Sequence, residues 1–343
     1  MSTQYSGVSQ IPNFGWKWSL TVTNPSDDNG DAQTSTIESL EWQPEPMRIV
    51  FEVNILGYSS HASFWTAKIE LFNLSADQAQ SFIFGQGATV SLSAGYQAGP
   101  YGVIFQGTVY QAMYERPGVI DSKVTLMCYT GLAETVANFA VFRGDAMMTQ
   151  SALVGKMCKG AQVPIPIASD SQPNLDDLPQ TKYPRARPFF GDPHKFIDRV
   201  ASANNMQSWY GFNGLGISTM SDQNSVSTIT YTSSTGILGV PQQTQDGVSL
   251  IVSLDPRLKV TVPPMQINIA SSIVRQMQYT PPGYRPILDP NGLYLVNGLQ
   301  FRGDSRGNMW ETEIVALTSI GGKAAYIADA TSPNTVLDRR ASK

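Results

Sequence analysis

Charge is what this sequence has little of. Lys, Arg, Asp and Glu make up 15% of its 343 residues, well below the roughly 25% of ordinary soluble proteins. The balance is −4. That argues against a protein that holds nucleic acid by neutralising phosphates, which needs clustered Lys and Arg. It leaves room for a passive acidic conduit along which a polyanion slides without sticking. Cysteine and histidine each occur twice, as Cys128, Cys158, His61 and His194. No CxxC pair or His cluster accompanies them, which argues against zinc. Cys128 falls in an apolar strand pattern and Cys158 on a predicted helix, so both are expected as buried small hydrophobes rather than a disulfide. No apolar run is long enough to span a membrane, and the polar start Met1-Ser2-Thr3-Gln4 is not a secretory signal. The expectation is a chain made in a cytoplasm, without stable membrane insertion.

A complete catalytic constellation is missing as well. There is no Gly-x-Ser-x-Gly elbow and no His-Glu-x-x-His. His194 lies beside Asp192 and Asp198, but at a helix start, where a surface role is commonplace. Gly211-Phe212-Asn213-Gly214-Leu215-Gly216 lacks the Lys-Ser/Thr ending and the helix of a phosphate loop, so it reads as a hairpin turn. The carboxylate candidates for glycoside hydrolysis, Asp176-Asp177 and Glu311-x-Glu313, fall in a Pro-rich loop and on the wet face of a strand. Arg-Gly-Asp at 143–145 and 302–304 reads as turns. Lys182, Arg185, Arg187, Lys195 and Arg199 form a local basic patch, open to nucleic acid or to an acidic protein partner. The expected set of catalytic, metal-binding and cofactor-binding residues is therefore empty.

What the chain does have is short strands. Met47–Tyr58, Phe64–Leu74, Thr89–Tyr96, Gly102–Arg116 and Lys123–Tyr129 follow one another, interrupted by one short helix. In the second run Trp65, Ala67, Ile69 and Leu71 alternate with Thr66, Lys68 and Glu70. A period of two gives antiparallel sheet with one buried face. Ser75 and Gln78 form a capping box for the helix after Leu74. Upstream, Trp16–Val22 reads as an edge strand, and the acidic stretch from Asn24 to Glu45 as a loop or an arm. Downstream, Thr149–Lys159 has helical spacing, and residues 161–188 are a proline-rich extended loop. Asp192-Pro193 then opens a helix with Phe196, Ile197, Val200 and Ala201 on one stripe. Met206–Phe212, Gly216–Met220 and Thr228–Thr232 follow as strands. Ser249–Leu254, Arg257–Val262, Met265–Ile269, Leu293–Arg302 and Met309–Leu317 resume the β pattern.

The expected fold class is mainly β: two tube-like antiparallel β-barrel domains flanking a small α+β domain. The expected boundaries are 1–44 (arm or edge segment), 45–132 (first barrel), 133–235 (α+β insert), 236–320 (second barrel) and 321–343 (polar tail).

Several motifs carry a resemblance. They are Ile69-Glu70-Leu71-Phe72-Asn73-Leu74-Ser75, Val90-Ser91-Leu92-Ser93-Ala94-Gly95-Tyr96 and Ile104-Phe105-Gln106-Gly107. In the last unit, Gly292-Leu293-Tyr294-Leu295-Val296 precedes Phe301-Arg302-Gly303-Asp304-Ser305-Arg306-Gly307-Asn308-Met309-Trp310. In this order they resemble the baseplate hub proteins of contractile-tailed bacteriophages, related to the hub region of type VI secretion spikes. The match covers roughly residues 45–320. Phe301-Arg302 stands where many relatives carry a His before Gly-Asp. The resemblance implies a non-enzymatic virion protein assembled in the host cytoplasm as a homotrimer. It also implies a pseudo-sixfold ring joining the tail tube, or a tube initiator, to a threefold spike. Other baseplate proteins would surround it, with DNA passing through the lumen and no sequence-specific nucleic-acid binding. A tail-borne or secreted cell-surface hydrolase or carbohydrate-binding β-protein is the alternative. A type VI hub is a third reading; the lack of a repetitive spike sequence after residue 320 favours a phage hub with a separate spike protein.

Overall fold

The computed structural model describes residues 15–24, 34–39, 47–56, 63–84, 87–118, 121–131, 138–169, 171, 175–176, 178–180, 182–204, 206–219, 228–232, 236–243, 247–261, 265–269, 276–277 and 292–318. The tail 321–343, Asp177 and much of the acidic stretch lie outside them.

Strands β1 (Trp16–Thr23), β2 (Thr34–Glu38), β3 (Ile49–Leu56), β4 (Ser63–Phe64) and β5 (Thr66–Phe72) come first. Helix α1 (Ala76–Phe84), β6 (Thr89–Tyr96), β7 (Tyr101–Glu115) and β8 (Lys123–Tyr129) follow. The middle of the chain contributes β9 (Ala140–Gly144), α2 (Gln150–Gly160), β10 (Arg187–Gly191), α3 (Pro193–Ala203), β11 (Met206–Gly211) and β12 (Gly214–Thr219). The last part supplies β13 (Thr228–Tyr231), β14 (Ile237–Gln243), β15 (Gly247–Ser253), β16 (Gln266–Ile269), β17 (Gln276–Met277), β18 (Leu293–Asp304) and β19 (Trp310–Thr318).

Alternation in the sequence becomes alternation in burial. Along β5, Ala67, Ile69 and Leu71 are buried while Lys68 is exposed. Each such aliphatic side chain taken out of water contributes about 1.5–3 kcal/mol before the entropy of ordering is subtracted. Among the described residues, fourteen strands share one sheet, whose main path runs β17-β14-β15-β19-β18-β3-β5-β8-β7-β6-β1-β2. Its centre is the antiparallel pairing of β3 with β18, from Gly298 opposite Leu56 to Asp304 opposite Val50. The two expected β-units are thereby stitched together, and one hydrophobic core extends from Trp18 through Ile69 and Leu126 to Phe301 and Ala316. A second core, containing Val154, Met157, Ile197, Tyr210 and Ile217, belongs to the middle of the chain. The structure is thus mainly β with small helical insertions.

Capping follows the expected chemistry. The Gln78 N–H donates to Ser75 Oγ at 3.3 Å, and the Ala152 N–H to Thr149 Oγ1 at 3.2 Å. Asp192 Oδ1 accepts the His194 N–H at 2.9 Å, with Pro193 opening α3.

Three expectations change. Strand β1 is not at an edge: it lies between β6 and β2, so part of the acidic stretch, Thr34–Glu38, forms the terminal strand of the path. Residues 257–261 form no strand. Leu258 and Val260 are buried, which explains the alternation, but the Leu258 N–H donates to the Asp255 carbonyl and the Arg257 N–H to the Asp255 side chain. A turn has taken donors a ladder would need. Finally, the end of the proline-rich segment runs into a strand, β10, which pairs antiparallel with β9. Strand β13 pairs in parallel with β16.

Candidate functional site

The residues that carry the family resemblance are joints of this sheet. Asn73 sits at φ 59°, a left-handed conformation that Asn tolerates better than most residues. Its amide donates to Asp121 Oδ1 at 3.2 Å and its Oδ1 accepts the Ser122 N–H at 3.0 Å. That fixes the exit of β5 beside the entry to β8. At the other joint, the Trp310 indole N–H donates to the Gly95 carbonyl at 3.1 Å. The Trp310 ring stacks on Trp16 at 5.2 Å and meets Phe51 edge-on at 5.3 Å. Gly303 lies under these rings: a Cβ there would stand 2.3 Å from Phe51 Cζ and 2.9 Å from Trp310. One indole from the closing hairpin thus holds β1 together with two strands of the first unit, β3 and β6.

The β3–β18 seam ends in a clamp. Arg48 donates to both carboxylate oxygens of Asp304, at 2.9 and 2.6 Å. Ser305 Oγ accepts the Ile49 N–H at 3.1 Å, while the Ser305 N–H donates to the Ile49 carbonyl at 3.0 Å. The Arg48 hydrogen bond holds the Asp304 carboxyl below its ordinary value of 3.8, against the opposing pull of burial. A depressed carboxylate adds stability above the unfolded-state value, and that stability is lost as pH falls through the folded one. Asp304→Asn is therefore expected to cost about 1 kcal/mol at pH 7, discounted because Arg48 is partly exposed. Chemical denaturation of wild type and variant should show the gap closing below about pH 4.

On the sheet face away from the core, a polar stripe crosses this seam. Gln300 donates to Glu52 at 2.7 Å, and Arg302 pairs with Glu311 at 2.9 Å and Glu313 at 3.2 Å. The two carboxylates considered for hydrolysis thus share one guanidinium, an arrangement that holds them as ion-pair partners. Of the other carboxylate pair, Asp176 is exposed and Asp177 lies outside the described residues.

His194, expected at the surface, is 3% exposed. Pro193, His194, Ile197 and Ala201 form the inward stripe of α3. The His194 ring lies edge-on to Tyr210 at 4.5 Å, with Nδ1 3.0 Å from Asp192 Oδ1. Burial pushes the Tyr210 hydroxyl well above its ordinary range. Residues 211–216 span the β11–β12 hairpin, with Phe212-Asn213 as its turn, as expected. Asp145 of the first Arg-Gly-Asp pairs with Lys156 at 2.9 Å, and the second triplet ends β18 at the clamp. Both cysteine thiols are free and buried, and burial pushes each up to about 12, which keeps them unreactive. Among the described residues no group of three or more His, Cys, Asp and Glu could hold a metal. No described helix is long and apolar enough to cross a membrane.

The basic patch is exposed: Lys182, Arg185, Arg187, Lys195 and Arg199 all face solvent. The Arg187 guanidinium stacks over the Tyr183 ring at 3.9 Å. Sequence reasoning set Phe190 beside it but missed its other apolar neighbours, Val141 and Met147; all three stand out in solvent. The available signal was Phe189-Phe190 set among prolines and arginines.

No protein-family model matches the sequence, and no curated protein matches it. Solved structures do. A 43 kDa tail protein of prophage MuSo2 from Shewanella oneidensis aligns with TM-score 0.50 at 10% identity, over 88% of this chain and 98% of that one. A component of the E. coli type VI secretion system, itself similar in structure to the bacteriophage T4 tail proteins gp27 and gp5, also aligns with TM-score 0.50. Its identity is 10%, over 84% of this chain and 79% of that one. The chain shares its fold with these tail and secretion proteins. At such identity the likeness is one of backbone path, and the strand joints described above are what this sequence uses to build it.

Proposed function

We propose that the chain is the structural hub of a contractile phage baseplate. Three copies form a pseudo-sixfold ring, each contributing two tube-like β-units, residues 45–132 and 236–320, with 133–235 as an insert. The N-terminal segment 1–44 is an arm or edge segment, and the tail 321–343 is an attachment segment. The ring joins the tail tube or its initiator to a threefold spike, with other baseplate proteins around it. DNA passes through its lumen without sequence-specific binding and without any catalytic step. The observation that carries this reading is the single sheet running through both β-units, locked at the β3–β18 seam. A rigid double unit, repeated three times, gives six similar wall segments.

Physics supports the role. Among the described residues, strand β2 ends the sheet path on one side and β17 on the other, and strand edges call for partners. Edge-to-edge joining of identical copies supplies them in a closed ring. Carboxylates on the polar face, Glu52 hydrogen-bonded to Gln300 and Glu311 and Glu313 paired with Arg302, suit a wall past which a polyanion slides. The likeness to the E. coli secretion component also supports a type VI hub, and gene neighbourhood separates the two. Electron microscopy of the concentrated chain tests the proposal: rings of three copies around an open hole are expected. Isolated particles that degrade cell-wall polysaccharide would replace it with the hydrolase reading.

A further inference from the structure

Exposed apolar side chains are unevenly spread over this molecule. The three most exposed large ones among the described residues are Phe190 (77%), Val141 (65%) and Met147 (60%). All belong to one ribbon. In the β9–β10 pair, Phe190 stands opposite Val141 and Pro188 opposite Arg143, so the period of two places these four on one face. Phe189 turns to the other face and packs edge-on against Phe196 of α3 at 5.1 Å. The ribbon continues past the strands, since the Met147 N–H donates to the Tyr183 carbonyl at 2.7 Å and the Tyr183 N–H to the Met148 carbonyl at 2.9 Å. Met147 is held there at φ 65°, a left-handed conformation that a non-glycine residue keeps only when its surroundings impose it.

The ribbon is also the basic part of an acidic chain. Residues 138–204 carry eight Lys and Arg against six Asp and Glu, whereas the whole chain carries 23 against 27. Among the described residues, no ion pair engages Arg143, Lys182, Arg185 or Arg187. An apolar centre with unpaired cations around it is the composition of a protein contact, with Phe and Arg as anchors. Nucleic acid would call for a ladder of stacking rings, and here Val141, Met147 and Pro188 occupy those places.

We propose that this ribbon face binds a second copy of the chain, docking on acid-rich surface of the neighbouring protomer. The inference rests on the ring reading and deepens it. In a ring each copy must present two different surfaces that complement each other. The net acidity of the chain outside 138–204 supplies the charge that the ribbon lacks, and does so at fixed stoichiometry. Phe190 and Val141 then fill the apolar centre of the contact, and Arg143 steers it.

A photo-crosslinking amino acid placed at position 190 of the full chain tests this. A second chain with the crosslinker at Val240, also exposed, serves as the comparison. Irradiation at concentrations where the trimer forms should join two copies through position 190, into a segment rich in Asp and Glu. The double variant Phe190→Ser, Arg143→Glu should weaken trimer association about tenfold or more, with an unchanged circular dichroism spectrum. A trimer that forms without any crosslink from position 190 would overturn the ribbon contact and leave the ring standing. Crosslinks found only to added single-stranded DNA would overturn it in favour of nucleic acid. A chain that stays monomeric at every concentration would overturn both.

Discussion

Gly95→Ala is expected to destabilise the protein by about 3 kcal/mol or more. Gly95 closes the β6–β7 hairpin at φ +155°, and a Cβ there would lie 2.1 Å from the Pro100 carbonyl oxygen and 2.7 Å from Tyr101 Cα. Both are backbone atoms, so no side chain can swing aside. The Pro100 oxygen cannot retreat cheaply, because it accepts the Tyr96 N–H at 3.1 Å. Relaxing the clash would also shift the Gly95 carbonyl that receives the Trp310 indole N–H. The damage therefore spreads from the first β-unit to the closing hairpin of the last. Gly118→Ala provides the control, since nothing lies within 4 Å of its added Cβ; its cost should fall within about 0.5 kcal/mol. Urea denaturation of the three proteins compares them. Equal midpoints for Gly95→Ala and wild type would show that the hairpin is looser than described.

The second large effect lies at Asp255. Its carboxylate is buried and accepts from the Tyr231 hydroxyl at 3.1 Å and from Arg257 at 2.8 and 2.7 Å. Its backbone N–H donates to Thr312 Oγ1 at 3.1 Å. Four segments meet there: β13, the end of β15, the following turn and β19. Burial and then the neighbouring Asp255 charge push the Tyr231 hydroxyl well above its ordinary range, so it remains a donor at any working pH. Asp255→Ala leaves that buried hydroxyl without its acceptor and Arg257 without its carboxylate. The expected cost is about 2–4 kcal/mol, below the full penalty of a wholly buried pair because Arg257 is half exposed. Asp255→Asn keeps an acceptor for Tyr231 and should lose roughly half as much. Thermal unfolding measures both, and equal losses would mean that charge, not hydrogen bonding, holds the joint.

Much of the sheet was legible because its strands have one wet face. The alternation in Thr66–Phe72 and Thr89–Tyr96 names both the elements and their buried sides. The caps at Ser75, Thr149 and Asp192 were legible because capping is local chemistry. Strand β10 was hidden by Pro188, whose missing N–H argues against a strand but is tolerated in a two-stranded ribbon with a free edge. The stretch 257–261 gave a false strand because Leu258 and Val260 alternate while their turn consumes the backbone donors. The seam was invisible for another reason: Phe51 and Gly303 are brought face to face across most of the chain, and no local pattern encodes such a pairing. His194 misled because a helix's first turn is usually wet, whereas here it turns its second residue into the core. No active-site signature was present to read, and the motif residues Asn73, Gly95, Gly303 and Trp310 turned out to be joints.

Light scattering of the purified chain over a range of concentrations tests the hub most directly. A particle of three times the 37.3 kDa chain mass, present throughout or reached as concentration rises, is the predicted result. A chain that keeps the mass of one copy at the highest concentration, even beside its spike, would contradict the ring.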